Sequence, residues 1–254
     1  MAAGGETMEF DGKVAVITGV GAGIAKMACE KLLELGADVI GADIVDEQSV
    51  CPAFLSNARF HYRKTDVTDE AQVSELFSFV DKKYGRLDIL LNIAGGWKTA
   101  ASIEETAFEE WHFMMSLNTD SVFLTCRAGI PLMKRNRYGR IVNFASIAGR
   151  QPLGRSTIGY AASKAAVVGM TKYLAGEVSR DGITVNAVSP STTLTERVKS
   201  VRTPDDIERI QAKIPVGRLA EPEDSVNAIL FFISEKSSYI TGHTIDVAGG
   251  VYMN

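Results

Sequence analysis

Short apolar runs alternate with longer amphipathic stretches along most of this chain. Val14-Ala-Val-Ile17, Val39-Ile-Gly-Ala42 and Leu87-Asp-Ile-Leu-Leu91 have the length and apolar content of strands buried on both faces. Phe60 to Lys64, Arg140-Ile-Val-Asn-Phe144, Thr184-Val-Asn-Ala-Val188 and Ile240 to Val247 read as further strands. Between them the period changes. Ala71 to Tyr84 places Val73, Leu76, Phe77 and Val80 on one stripe, and Trp111 to Arg135 carries a long apolar helix pattern with Pro131 near its end. A helix after the first strand runs through Leu35 and stops at Gly36, and Glu221-Pro-Glu-Asp224 opens the last helix. The alternation predicts an α/β fold of parallel strands joined by helical crossovers.

Composition narrows the class. Hydrophobic residues are 46% and charged residues 23% of 254, the balance of a soluble globular protein. Repeats, low-complexity tracts and linkers are lacking, so residues 1–254 read as one domain, with 1–12 as an N-terminal extension. A net charge of −4 argues against a nucleic-acid partner, which would need a basic face. No apolar stretch is long enough to span a bilayer, and the start lacks the basic and apolar regions of a signal peptide. Cys29, Cys51 and Cys126 are too scattered for a metal knuckle or a disulfide framework, so reduced thiols in the cytoplasm are expected. His61, His112 and His243 show no ligand spacing, and no metal is expected. The absence of a G-x-S-x-G elbow disfavours an α/β-hydrolase.

The first crossover holds candidate binding chemistry. Thr18-Gly-Val-Gly-Ala-Gly-Ile-Ala25 turns the first strand into a helix. Glycines there let the backbone approach a pyrophosphate, and the helix N-terminus offers N–H groups and a positive dipole end. Asp43 closes the second strand, where a carboxylate accepts hydrogen bonds from ribose hydroxyls and repels a 2′-phosphate. Val20, Gly21 and Ala22 bring no cation to the turn. NAD is therefore expected in preference to NADP.

A second stretch, Tyr160-Ala-Ala-Ser-Lys164, carries candidate acid/base chemistry. Its phenol and ammonium are one helical turn apart on one face. A neighbouring positive charge favours phenolate and lowers a tyrosine's pKa, although the same spacing also arises on ordinary surface helices. Ser146 follows the fifth predicted strand, where a hydroxyl can donate to a substrate oxygen. Trp97 follows the fourth strand, where it either lines a pocket or packs under a loop. Asp66 is a candidate start for the next helix.

Taken in order, these motifs resemble the short-chain dehydrogenase/reductase family from Lys13 to Gly250. The glycine turn, using Gly19, Gly23 and Ala25, is similar to the family's T-G-x-x-x-G-x-G. Asn92-Ile-Ala94-Gly95 is similar to Asn-Asn-Ala-Gly, and Pro190 through Thr195 to Pro-Gly-x-x-x-Thr. Ala25, Ile93, Ser191 and Ala248 depart from the pattern. The resemblance implies a doubly wound Rossmann sheet of about seven strands, a nicotinamide cofactor, and usually a homotetramer. It implies Tyr160 as acid/base, Lys164 as the group that lowers its pKa and holds the ribose, and Ser146 as oxyanion stabiliser. Asn118 would kink its helix and hold a relay water. Gly19, Gly21, Gly23, Ile24, Asp43, Ile44, Asp66, Val67, Asn92, Ala94, Gly95, Pro190, Thr193 and Thr195 would line the cofactor, Asn92 by satisfying backbone groups between strands.

Trp97, Ser146, Leu153, Tyr160 and Leu194 would form the substrate pocket, with residues 191–216 as a lid. The expected activity is NAD(H)-dependent interconversion of a small, hydrophobic secondary alcohol and its ketone. One alternative is a 3-oxoacyl-[acyl-carrier-protein] reductase, usually NADP(H)-dependent, with Lys134, Arg135 and Arg137 as a docking patch. The other is a dinucleotide-binding sensor or scaffold without catalysis.

Overall fold

The structure, a computed structural model, describes residues 8–98, 102–152 and 156–253. Its frame is a seven-stranded parallel sheet. The strands are β1 (Val14–Thr18), β2 (Asp38–Asp43), β3 (Phe60–Lys64), β4 (Ile89–Asn92), β5 (Gly139–Phe144), β6 (Ile183–Pro190) and β7 (Thr244–Val247), in the order β3-β2-β1-β4-β5-β6-β7. Every strand pair is parallel, and Thr18 of β1 lies beside Asn92 of β4. The order in which strands are added switches side between β1 and β4, which opens a crevice at their carboxyl ends. This is the doubly wound sheet that the resemblance implied.

The helices that cover it are α1 (Gly23–Glu34), α2 (Pro52–Leu55), α3 (Glu70–Tyr84), α4 (Phe108–Met115), α5 (Ser121–Asn136), α6 (Ile158–Val178), α7 (Glu196–Val201), α8 (Pro204–Gln211) and α9 (Pro222–Ile233). One apolar cluster joins Val16, Leu90, Leu76 and Val167 on one face of the sheet, and another joins Ile17, Leu91, Leu32 and Phe232 on the other. Strands buried on both faces explain the near-continuous apolar runs. No helix among the described residues is long and apolar enough to cross a membrane.

Local chemistry sets the element ends. The Asp69 carboxylate accepts from Ala71 N and Gln72 N and caps α3, whose far end turns at Gly85 with φ 66°. Asp66 does not start that helix. Its Oδ1 accepts instead from the backbone N and hydroxyl of Thr68, an Asx turn one step earlier. At α9, Glu221 and Asp224 form a reciprocal capping box around Pro222.

Some boundaries move. The stretch from Trp111 to Arg135 is not one regular helix: a π-helical segment, Ser116–Asp120, interrupts it around the buried Asn118. The last strand begins at Thr244 rather than Ile240, because Gly242, at φ +74°, turns its N–H to the Val185 carbonyl. β6 runs on through Ser189 and Pro190 to the site. The lid stretch folds as α7 and α8.

Candidate active site

The carboxyl ends of β1, β4, β5 and β6 bring the candidate residues together. Thr18 ends β1, and its hydroxyl accepts from Ile93 N at 3.1 Å and Ala94 N at 3.0 Å. This ties the loop after β4 to the glycine turn. A Cβ on Gly95 would lie 2.7 Å from Asn118 Oδ1 and 3.3 Å from Lys164 Nζ, so a bare backbone is required there. The π segment aims Asn118 across this gap. Its Oδ1 accepts from Gly96 N, and its Nδ2 donates to Gly96 O and Met114 O, each at 3.0 Å.

Ser146 follows β5, and its Oγ accepts from Ala148 N at 3.2 Å. Tyr160 and Lys164 sit on α6, which Thr157 caps by accepting from Tyr160 N. The Ser146 hydroxyl lies close enough to the Tyr160 phenol to influence its charge. Burial pushes the Tyr160 phenol up from its ordinary value, against the Ser146 hydroxyl and the Arg197 guanidinium, which pull it down. Lys164, expected to lower this phenol, makes its hydrogen bond elsewhere. Lys164 Nζ is 5.9 Å from the Tyr160 ring centroid and donates to the Phe144 carbonyl at 2.6 Å. Burial pushes Lys164 itself down to about 8. Arg197, two residues past Thr195 on α7, was not anticipated; its one sequence signal was a cation just after the stretch similar to Pro-Gly-x-x-x-Thr.

The glycine turn has the features of a dinucleotide cradle. α1 begins at Gly23 with no side-chain cap, which leaves its first N–H groups free for a phosphate. Gly23 takes φ +58°, and Thr195 packs against it, with Cγ2 3.5 Å from where a Cβ would stand. Thr195 also caps α7 through Val198 N, so the lid begins at the turn. Thr193 is buried and pairs with Ala220. Pro190 closes β6, while Ile24 and Val67 are buried in the apolar clusters on opposite faces of the sheet.

The role expected of Asn92 changes. It bonds side chains rather than backbone, donating to Asn143 Oδ1 at 2.9 Å and accepting from Thr125 Oγ1 at 2.7 Å. Trp97 is half-buried beneath the guanidinium groups of Arg197 and Arg202. Leu194 is half-buried and anchors its N–H on Ala220 O. Leu153 lies outside the described residues. Among the described residues no three His, Cys, Asp or Glu side chains gather as a metal-binding group.

A family profile described as enoyl-(acyl carrier protein) reductase matches residues 19–252. The chain belongs to the short-chain dehydrogenase/reductase family. It is 36% identical over 252 residues to the 3-oxoacyl-[acyl-carrier-protein] reductase of Thermotoga maritima, covering 96% of this chain and 99% of the relative. It is 34% identical over 246 residues to the enzyme of that name from Escherichia coli, covering 97% and 100%. Among solved structures, one described as gox2181 superposes with a TM-score of 0.91 at 27% identity, covering 97% of this chain and 98% of that one. As a family member the chain is an oxidoreductase acting at a carbonyl or CH–OH group.

These relatives overturn the preference for NAD over NADP. They carry the name of the reductase class for which NADP(H) was expected, and they match almost the whole chain. Asp43 has a structural task that the sequence did not reveal. Its Oδ2 accepts from Gly21 N at 2.8 Å, and its Oδ1 accepts from Ile44 N at 2.7 Å and Val45 N at 3.4 Å. The carboxylate braces the glycine turn, and backbone amides already solvate its charge.

The candidate docking residues stand at the far end of β5 from the crevice. Lys134, Arg135 and Arg137 lie at the end of α5, across the sheet from Ser146 by the length of β5, roughly 20 Å. Lys134 pairs with Asp181, Arg135 with Asp81, and Arg137 donates to the Arg180 carbonyl.

Proposed function

We propose that this chain is an NADP(H)-dependent reductase of 3-oxoacyl thioesters, of the 3-oxoacyl-[acyl-carrier-protein] reductase type. The observation that carries the reading is the convergence of Ser146, Tyr160, Lys164 and Asn118 on the crevice beside the glycine turn. Their burial and mutual spacing suit proton transfer to a carbonyl oxygen. The full-length similarity to reductases of that name favours a 3-oxoacyl substrate over a simple secondary alcohol.

In this reading Ser146 and Tyr160 donate to the substrate carbonyl oxygen and hold the carbonyl carbon toward the nicotinamide. The bound nucleotide supplies the hydride. As the carbon–oxygen double bond opens, the Tyr160 phenolic proton passes to the oxygen and the alcohol forms. Lys164, with a pKa near 8, lies beside Asn118 Oδ1 and returns a proton toward the phenolate through the Gly95 gap. Gly95 and Asn118 would border the nucleotide ribose, and Gly23 and the uncapped end of α1 would receive its phosphates, with Asp43 bracing Gly21 beside them.

The test is direct. The purified protein is given NADPH and a 3-oxoacyl thioester, and NADPH oxidation is followed by absorbance. Turnover with NADPH supports the reading. Saturable NADPH binding with no turnover across a panel of 3-oxoacyl thioesters and ketones would instead favour the sensor or scaffold alternative.

A further inference from the structure

Two arginines stand at the mouth of this site with no acidic partner among the described residues. Arg197 lies with its guanidinium carbon 5.5 Å from the Trp97 ring centroid, and Arg202 with its own at 5.3 Å. Arg197 Nη2 donates to the Trp97 carbonyl at 2.8 Å, which straps α7 to the loop after β4. The same guanidinium rests on Gly96, where a Cβ would come within 3.2 Å of Nη1. Gly96 is the residue that Asn118 holds, so the cation sits on the rim of the catalytic crevice.

Three basic side chains in and after the lid are paired with carboxylates, whereas Lys98 lies over the Phe113 ring. Lys199 pairs with Glu196, Arg209 with Asp206 and Arg218 with Asp224. Among the described residues, no carboxylate forms an ion pair with Arg197 or Arg202. Two like charges on one indole repel each other, and a third charge of opposite sign relieves that repulsion. A planar guanidinium held by one backbone bond keeps further N–H donors for a carboxylate or phosphate.

We propose that Arg197 and Arg202, stacked on Trp97, bind an anionic group, a carboxylate or a phosphate, borne by the carbonyl substrate. This rests on the reductase reading and specifies its substrate: an oxo compound whose carbonyl reaches Ser146 and Tyr160 while a negative group remains at the lid. The influence of Arg197 on the Tyr160 phenol fits a cation that faces the reacting group. In a thioester the anion is a phosphate of the carrier, as in coenzyme A; a carboxylate on a free 3-oxo acid would keep the reductase reading and replace its thioester.

The experiment separates binding from turnover. In a Trp111→Phe background Trp97 is the remaining tryptophan, and its fluorescence is titrated with acetoacetate and, separately, with coenzyme A. The two-tryptophan wild type, titrated in parallel, guards against a folding defect. A saturable change with either probe, weakened tenfold or more by Arg197→Met and partly restored by Arg197→Lys, is expected. Saturation with acetoacetate identifies a carboxylate on the substrate, and saturation with coenzyme A a phosphate on the carrier.

No saturable change with either probe, or undiminished binding by Arg197→Met, overturns the proposal. Turnover with NADPH is then compared between neutral ethyl acetoacetate and acetoacetyl-coenzyme A. A fall of tenfold or more in the anionic-to-neutral kcat/KM ratio in Arg197→Met is expected. An equal fall for both substrates overturns the anion site and leaves the reductase reading standing. Anion binding lost in Arg197→Met, in a protein that reduces neither substrate, leaves the anion site standing and removes the reductase reading.

Discussion

Asn118 holds both polar groups of Gly96, accepting from its N–H and donating to its carbonyl, each at 3.0 Å. A buried side chain thereby fixes the loop that borders Lys164, Arg197 and the nucleotide crevice. Asn118→Leu keeps the number of side-chain heavy atoms and removes all three bonds. Stranding buried polar groups costs about 1–3 kcal/mol each. The variant should lose stability on that scale in urea denaturation. Its turnover should fall tenfold or more, because the loop no longer positions the crevice. Wild-type values in both measurements would remove Asn118 from the site.

Tyr160→Phe removes one oxygen from a site whose remaining contacts stay in place. General acid catalysis contributes a factor on the order of a hundred to ten thousand. Turnover should fall by that much, while NADPH affinity, measured by fluorescence, should stay within about threefold. A variant with near-normal kcat would assign the proton to another group.

Lys164 links pH to stability. Its folded pKa is about 8, below the ordinary 10.5, because burial disfavours its charge. Above the unfolded value neither state is charged and the group costs nothing. As pH falls, the unfolded chain takes the proton first, so the contribution of Lys164 declines and reaches its full penalty once pH is below about 8. Relative to Lys164→Met, the wild type should therefore be less stable near pH 7 than near pH 10, by up to about 3 kcal/mol. Urea midpoints of the two proteins at both pH values measure this difference. A difference that does not vary with pH would mean that Lys164 is not desolvated.

Gly95 is a steric requirement. A methyl group there meets Asn118 Oδ1 at 2.7 Å. Overpacking of this kind typically costs about 1–3 kcal/mol. Gly95→Ala should lower Tm and weaken NADPH binding about tenfold, as read by calorimetry and fluorescence titration. Unchanged binding would place the nucleotide away from this gap.

How far the sequence reached varied from residue to residue. The stripe Val73, Leu76, Phe77, Val80 is buried on α3 as its spacing predicted, because helical period and a single buried face are local properties. β3 has the limits read from its residues, and the order of motifs placed Ser146, Tyr160 and Lys164 on the elements where they stand. Errors arose where distant segments compete for the same group. The carboxylate of Asp43 looked free in sequence, but Gly21 returns from β1 to claim it. Lys164 looked committed to Tyr160, but β5 offers the nearer carbonyl of Phe144. Asn92 looked like a backbone clamp, but α5 and β5 supply side-chain partners.

The chain by itself determined the α/β alternation, the glycine turn and the residues of the Ser-Tyr-Lys set. Each is written in a periodicity or a short motif that neighbours along the chain can satisfy. Tertiary structure alone decided which charge faces which. It turned Asp43 into a brace, buried Lys164 away from water, and brought Arg197 and Arg202 over Trp97 from about a hundred residues away. Electrostatic partners depend on through-space distance and burial, and neither quantity exists until the sheet has assembled.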